Sequence, residues 1–102
     1  MTKFRNFTPH TIVLNDGRTF ESEGVARVSN DFTEFDENDV CSVVYGNVTG
    51  LPAAEQGTQY IVSAMVLAAS DRTDLVAPAT GHPQCVRNEK GFIVSVPGFV
   101  RR

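Results

Sequence analysis

One stretch of the chain decides the fold: Gly57-Thr58-Gln59-Tyr60-Ile61-Val62-Ser63-Ala64-Met65-Val66-Leu67-Ala68-Ala69-Ser70-Asp71-Arg72, a long segment without a proline or an interior glycine. Residues 60–62 are bulky and favour a strand, whereas residues 64–69 are mostly good helix formers. Ser63 lies at the change, where its hydroxyl can accept a hydrogen bond from a free N–H of the first helical turn. The stretch therefore predicts a strand that runs directly into a helix of roughly ten residues, with Ser63 as the N-cap.

Length and composition indicate an ordinary globular chain. Its 102 residues suffice for one domain, residues 1–102, and are too few for two. No apolar run approaches the roughly 20 residues that span a bilayer, and the N-terminal residues lead into polar sequence rather than an apolar leader. We therefore expect a cytoplasmic protein without membrane contact, in which Cys41 and Cys85 are reduced thiols.

The net charge of −3 is unevenly distributed. Five of the nine residues at positions 31–39 are acidic, and no basic stripe suited to long nucleic acids is visible. The acidic residues lack the order of a calcium-binding loop, so we predict no metal site. Phe32 and Phe35 lie among the carboxylates, which predicts either a loop anchored by two aromatic rings or an edge hairpin, and as a binding element the segment is more simply a solvated loop.

Elsewhere, turn residues separate short runs that favour strands. Strands are predicted at residues 11–14, 18–21, 25–29, 75–77, 85–87 and 92–96, with the long β-branched run 40–48 as the central strand. The sum is an α+β domain, a small and mostly antiparallel sheet of about seven short strands with one helix on one face. Such a sheet leaves an edge or face uncovered, which favours a homo-oligomer, dimeric or larger.

No zinc-ligand spacing, nucleophile elbow or phosphate-binding glycine loop occurs in the chain. His10 and His82 follow or precede prolines on stiff loops, where they could serve as a general acid and base. The plainer interpretation is that each is partly exposed and satisfied by one backbone hydrogen bond. No catalytic residue and no cofactor is therefore assigned, and a metal-independent phosphodiesterase that uses these two histidines is kept as an alternative.

A polar cluster suits a small phosphate-bearing ligand better. The guanidinium groups of arginine bind phosphates through paired hydrogen bonds, and a carboxylate can accept hydrogen bonds from ribose hydroxyls or base amino groups. Arg72 also has a simpler role, since at a helix C-terminus it can donate to the terminal carbonyls. The residues predicted to bind the ligand are Thr8, His10, Arg27, Ser63, Arg72, Asp74, Thr80, Gly81 and Arg87.

Short motifs spread over nearly the whole chain resemble those of a known group of proteins. They are Asn6-Phe7-Thr8-Pro9-His10, Val25-Ala26-Arg27-Val28, Tyr45-Gly46 with Gly50-Leu51-Pro52, Gly57 with Tyr60-Ile61-Val62-Ser63, Arg72-x-Asp74 with Pro78-x-Thr80-Gly81, and Arg87-Asn88-Glu89 with Gly91. The chain thereby resembles a family of small proteins of bacteriophages, prophages and actinobacterial genomes that typically begin with an Asn-Leu-Thr-Pro-His step. Phe7 replaces the usual leucine, and the acidic insertion at residues 31–39 is longer.

That family has no established activity, so the resemblance implies a phage origin more than a chemistry. Small phage proteins of this size often interfere with host defence, and some sequester signalling nucleotides in pockets of an oligomer. The leading hypothesis is therefore a non-catalytic nucleotide-binding protein that acts as a sponge for a host immune signal in the host cytoplasm. A virion accessory subunit, or an inhibitor that docks on a host protein through residues 31–39, is a further alternative.

Overall fold

Ten short strands and one helix follow one another in the computed structural model, which describes residues 2–101. The strands are β1 (Lys3–Asn6), β2 (Ile12–Val13), β3 (Thr19–Phe20), β4 (Arg27–Phe32), β5 (Val43–Thr49), β6 (Thr58–Ile61), β7 (Leu75–Pro78), β8 (Val86–Arg87), β9 (Ile93–Ser95) and β10 (Phe99–Val100), and the helix α1 (Ala64–Ala69) lies between β6 and β7. The α+β class is thus confirmed. No helix in this part of the chain is long and apolar enough to cross a membrane.

A mixed four-stranded sheet in the order β1-β6-β7-β10 lies at the centre of the fold. β1 and β7 both run parallel to β6, and β10 runs antiparallel to β7. The expected mostly antiparallel sheet of about seven strands is therefore not confirmed. β10 completes the sheet, with Phe99 paired to Pro78 and Val100 to Ala77.

The strand-to-helix junction forms as predicted at Ser63. Its backbone is extended (φ −68°, ψ 159°), and its hydroxyl accepts the N–H of Val66 at 3.3 Å. The helix ends at Ala69, after six residues rather than about ten. Ser70 is extended, and its hydroxyl accepts the N–H of Arg72 at 3.2 Å. Serine stops the helix here because its side chain offers the backbone a competing local hydrogen bond.

The helix packs on one face of the central sheet, as expected. Val66 and Leu67 meet the buried side chains of that face, which are Tyr60, Val62, Leu75 and Ala77. Each such burial stabilises the fold by about 1.5–3 kcal/mol. The other face carries the rings of Phe4, Phe20 and Phe99, whose centroids lie 4.8–5.9 Å apart.

Two hairpins project from this core. We call β4–β5 with its turn (residues 27–49) the arm, and β8–β9 with its turn (residues 86–95) the second hairpin. The predicted central strand 40–48 is wrong, because β5 pairs only with β4 and nearly all of its residues are exposed. The molecule is elongated because the arm projects from the core. The radius of gyration of the molecule is 15.7 Å, against about 13 Å for a compact chain of this length.

Candidate functional site

The carboxyl ends of three strands lie at one edge of the central sheet, which we call the carboxyl edge, and β7 extends two residues beyond β1 and β6 there. β1, β6 and β7 are parallel, and Asn6 pairs with Ile61, which in turn pairs with Val76. Thr8, Ser63 and Thr80 each come two residues after the end of their strand. The carboxyl ends of parallel strands are where open sheets commonly bind ligands. The topology therefore places three polar residues, which the sequence analysis had selected separately, in loops that leave the same edge.

The buried Asn6 organises the first loop of this edge. Its Nδ2 donates to the carbonyls of His10 at 2.7 Å and Phe20 at 2.8 Å, and its Oδ1 accepts the N–H and the hydroxyl of Thr8 at 2.9 and 2.7 Å. Thr8 is itself buried and holds the loop, whereas the imidazole of His10 is exposed. Sequence reasoning missed Asn6, because an asparagine at a strand end resembles any turn residue until its burial is known.

Arg27 and Arg87 lie at the bases of the two projecting hairpins. Arg27 is exposed and directly follows Ala26, whose N–H donates to the carbonyl of Phe7 at 2.8 Å. Arg87 donates from Nη2 to the carbonyl of Thr80 at 3.2 Å and from Nη1 to that of Gly91 at 3.0 Å. Because a guanidinium carries five N–H donors, Arg87 keeps Nε–H and one hydrogen on each Nη for a ligand.

The loop after β7 completes the edge. Thr80 and Gly81 are exposed, and a Cβ added at Gly81 would meet no atom within 4 Å. His82 lies in the same loop, and its Nδ1 accepts the N–H of Gln84 at 3.0 Å. No hydrogen bond joins His82 to His10 within residues 2–101, so their use as an acid and base pair gains no geometric support.

Arg72 and Asp74 lie elsewhere, before the amino end of β7. Arg72 donates from Nε and Nη2 to the two carboxylate oxygens of Asp74 at 2.9 and 2.7 Å, and from Nη1 to the carbonyl of Pro52 at 3.1 Å. Its guanidinium also covers the ring of Tyr60 at 5.5 Å. The hydrogen bonds from Arg72 lower the pKa of Asp74, while burial opposes that shift. The structure thus separates this pair from the carboxyl edge and gives it internal partners.

One surface cavity reaches the carboxyl edge at Asn6, and two others lie away from it. The first, about 440 Å³, lies between β1 and β3, and the second, about 310 Å³, is lined by Phe4, Phe99 and Gln59, whose Oε1 is buried without a hydrogen-bond partner. The third, about 300 Å³, includes Arg72 and Arg101. None of the three is lined by the cations of the carboxyl edge. Arg27, Arg87 and Thr80 are instead exposed on the surface of one copy.

Within residues 2–101, no group of three or more His, Cys, Asp or Glu side chains is arranged to hold a metal ion. Cys41 and Cys85 are both free thiols, as expected, and both are partly buried. The chain matches no protein-family model, no curated protein and no solved structure. The resemblance to phage proteins therefore stays a prediction, and functional arguments rest on the residues themselves.

Proposed function

We propose that this is a non-catalytic binding protein that holds a small phosphate-bearing ligand of the nucleotide type at its carboxyl edge, between copies of the chain. The observation that supports this most is the arrangement of β1, β6 and β7, which delivers Thr8, Ser63 and Thr80 to one edge. In an infected host cell, a phage protein of this kind would bind a host immune signalling molecule in the cytoplasm and lower its free concentration.

The groups around this edge match the chemistry of that ligand. Arg27 and the unused donors of Arg87 would bind phosphate oxygens, since charge-assisted hydrogen bonds are the strongest that side chains form. The hydroxyls of Ser63 and Thr80 are exposed and would bind sugar hydroxyls. Gly81 leaves open space where a ligand can approach the backbone closely.

The open shape of the edge is the reason for several copies. Sites for small ligands usually bury about 70–90% of the ligand surface, which a flat edge does not achieve. A second copy laid over the edge would supply the missing wall. Arg72 and Asp74 would then take part only through their effect on the stability of the sheet, a narrower role than the sequence predicts for them.

The test is thermal unfolding with a panel of cyclic mononucleotides, cyclic dinucleotides, ADP-ribose and its cyclic forms. A ligand present at 100 times its Kd stabilises the native protein by about 2.7 kcal/mol. Arg27→Gln should weaken binding about tenfold or more, because a charged hydrogen bond contributes about 1.5–3 kcal/mol. Lys3→Gln, at the amino end of β1 and equally exposed, is the matched control and should leave affinity unchanged.

Absence of stabilisation by every member of the panel at millimolar concentration would refute the proposal. Recovery of intact ligand after long incubation separates binding from turnover. Hydrolysis that His10→Ala abolishes without unfolding the protein would instead establish the phosphodiesterase alternative.

One observation supports docking on a host or virion protein as a second candidate. Phe32 and Phe35 stand exposed among the carboxylates of the arm, and of the two predicted arrangements the structure has the hairpin. An exposed aromatic ring flanked by charge is typical of a binding hot spot. Capture of one stoichiometric partner by the wild-type protein, and its loss with Phe35→Ser, would favour this function.

A further inference from the structure

Two exposed apolar surfaces lie on the two projecting hairpins. The arm exposes six apolar side chains, which are Phe32, Phe35, Val40, Val43, Val44 and Tyr45. The second hairpin exposes four, which are Val86, Phe92, Ile93 and Val94. Phe32 and Phe35 are each 70% exposed and Phe92 is 66% exposed. Exposed large apolar side chains clustered on one hairpin are typical of an interaction site.

The rest of the chain supports the arm only at its base. There Val28 and Val48 are half-buried against the core, and the Nδ2 of Asn30 lies 3.7 Å from the Sδ of Met65 on the helix. Beyond Asn30 both strands are exposed on both faces. A two-stranded hairpin is at best marginally stable in water, so the outer part of the arm needs a surface to pack against.

The two surfaces differ in charge. Asp31, Glu34, Asp36, Glu37 and Asp39 make the outer part of the arm strongly acidic. The second hairpin carries Arg87 and Lys90 against the single carboxylate of Glu89. The ammonium of Lys90 has no hydrogen bond or ion pair within residues 2–101 and is exposed. Apolar surfaces of opposite charge are complementary, and the charges would steer them together.

We propose that the arm of one copy docks on the second hairpin of another copy, with Phe32 and Phe35 against Phe92 and the acidic tip beside Lys90. Phe32, Val43 and Tyr45 share one face of the arm, because Phe32 pairs with Val43 and alternate residues of a strand point to the same side, and this face would form the apolar part of the contact. Because each chain carries both an arm and a second hairpin, docking of the arm of each copy on the second hairpin of another closes a dimer or a ring.

This contact also places the second copy over the proposed ligand site. The arm begins at Arg27 and the second hairpin is tied to Thr80 through Arg87, so both extend from the carboxyl edge. The docking proposal rests on one part of the proposed function, namely that the ligand is held between copies of the chain. Assembly is measured without any nucleotide, so a failure of the ligand proposal and a failure of the docking proposal are separate results.

Sedimentation velocity and light scattering over 1–200 µM protein test the proposal. We expect the wild-type protein to assemble, and Phe35→Ser and Phe92→Ser each to raise the dissociation constant about tenfold or more, because a central aromatic residue commonly contributes over 1.4 kcal/mol. Val100→Ser, which removes an exposed apolar side chain outside both hairpins, is the control and should assemble as the wild type does. Circular dichroism checks that each variant is folded.

A charge exchange tests which surfaces meet. Glu34→Lys and Lys90→Glu should each weaken assembly, and the double variant should assemble more tightly than Lys90→Glu alone, because the exchange restores one pair of opposite charges. Glu34→Lys should reduce the salt sensitivity of assembly, whereas Lys90→Glu places like charges together, so added salt should strengthen its assembly. A monomeric wild type at 200 µM would overturn the proposal. So would assembly that survives Phe35→Ser and Phe92→Ser, or capture of a different protein by the arm of a monomer.

Discussion

Removal of the guanidinium of Arg72 should be among the most costly changes to a single polar side chain in this protein. Arg72 makes three hydrogen bonds, two to Asp74 and one to the carbonyl of Pro52, and covers the ring of Tyr60. Hydrogen bonds to charged groups contribute about 1.5–3 kcal/mol and a cation over a ring about 0.5–2 kcal/mol. These contributions are not additive, because neighbouring contacts are coupled.

We therefore expect Arg72→Ala to lower the free energy of unfolding by about 2–3 kcal/mol, a decrease in Tm of roughly 10–20 °C for a chain of this size. Asp74, whose side chain is 15% exposed, would be left partly buried without its cation. Arg72→Lys should recover only part of the loss, since an ammonium cannot donate to both carboxylate oxygens and to Pro52 in the geometry of the planar fork.

The pH dependence gives a second readout. The pKa of Asp74 lies below its ordinary value of 3.8 because Arg72 donates to the carboxylate. A lowered pKa contributes stability that is fully present above the unfolded value and is lost as pH falls through the folded value. The stability difference between the wild type and Asp74→Asn should therefore be constant near neutral pH and shrink below about pH 4. Urea denaturation at fixed protein concentration measures it. A difference of less than about 0.5 kcal/mol for Arg72→Ala, typical of surface changes, would refute the reasoning.

Three further changes have predicted outcomes that equilibrium unfolding can check. Ser63→Ala should destabilise the protein by about 1 kcal/mol because the helix loses its N-cap, whereas Ser63→Asp should retain most of that stability; equal loss with both would contradict a capping role. Gly50→Ala should cost well over 1 kcal/mol, since Gly50 has φ +89° and an added Cβ would lie 2.5 Å from a backbone oxygen, while Gly98→Ala, where no atom lies within 4 Å, should be nearly neutral. Asn6→Ala should cost about 3 kcal/mol, because it leaves buried donors and acceptors unpaired, and an effect as small as that of Gly98→Ala would contradict its organising role.

Local features of the fold could be predicted from the sequence. The change at Ser63 from strand formers to helix formers places the helix start correctly, and the Asp-Gly turn at Gly17 has the positive φ of 95° that such a turn requires. Both depend on residues that are neighbours in the chain. The pairing of β1 with β6 could not be predicted, because Lys3 to Asn6 contain no β-branched residue and their partners are distant in sequence.

The arm shows a different limit. A run of β-branched residues such as 40–48 is compatible with a strand buried at the centre of a sheet. It is equally compatible with a strand of an exposed hairpin, because apolar side chains occur in both. The candidate site was predicted only in part for a similar reason. Thr8, Ser63 and Thr80 were each predicted from the loops in which they lie, whereas their common edge follows from the parallel pairing of strands that are distant in sequence. Arg72 was predicted to bind a ligand, but its partner in the structure is Asp74, two residues further along the chain.

The parallel pairing of β1 with β6 also has a consequence for the order in which the chain folds. Residues 3–6 are synthesised before Thr58–Ile61, with which they pair. β6, α1 and β7 are contiguous and can form one nucleus, whereas closure of the long segment between β1 and β6 is entropically costly and slow. The nascent N-terminal strand therefore stays without its partner until the middle of the protein has been synthesised.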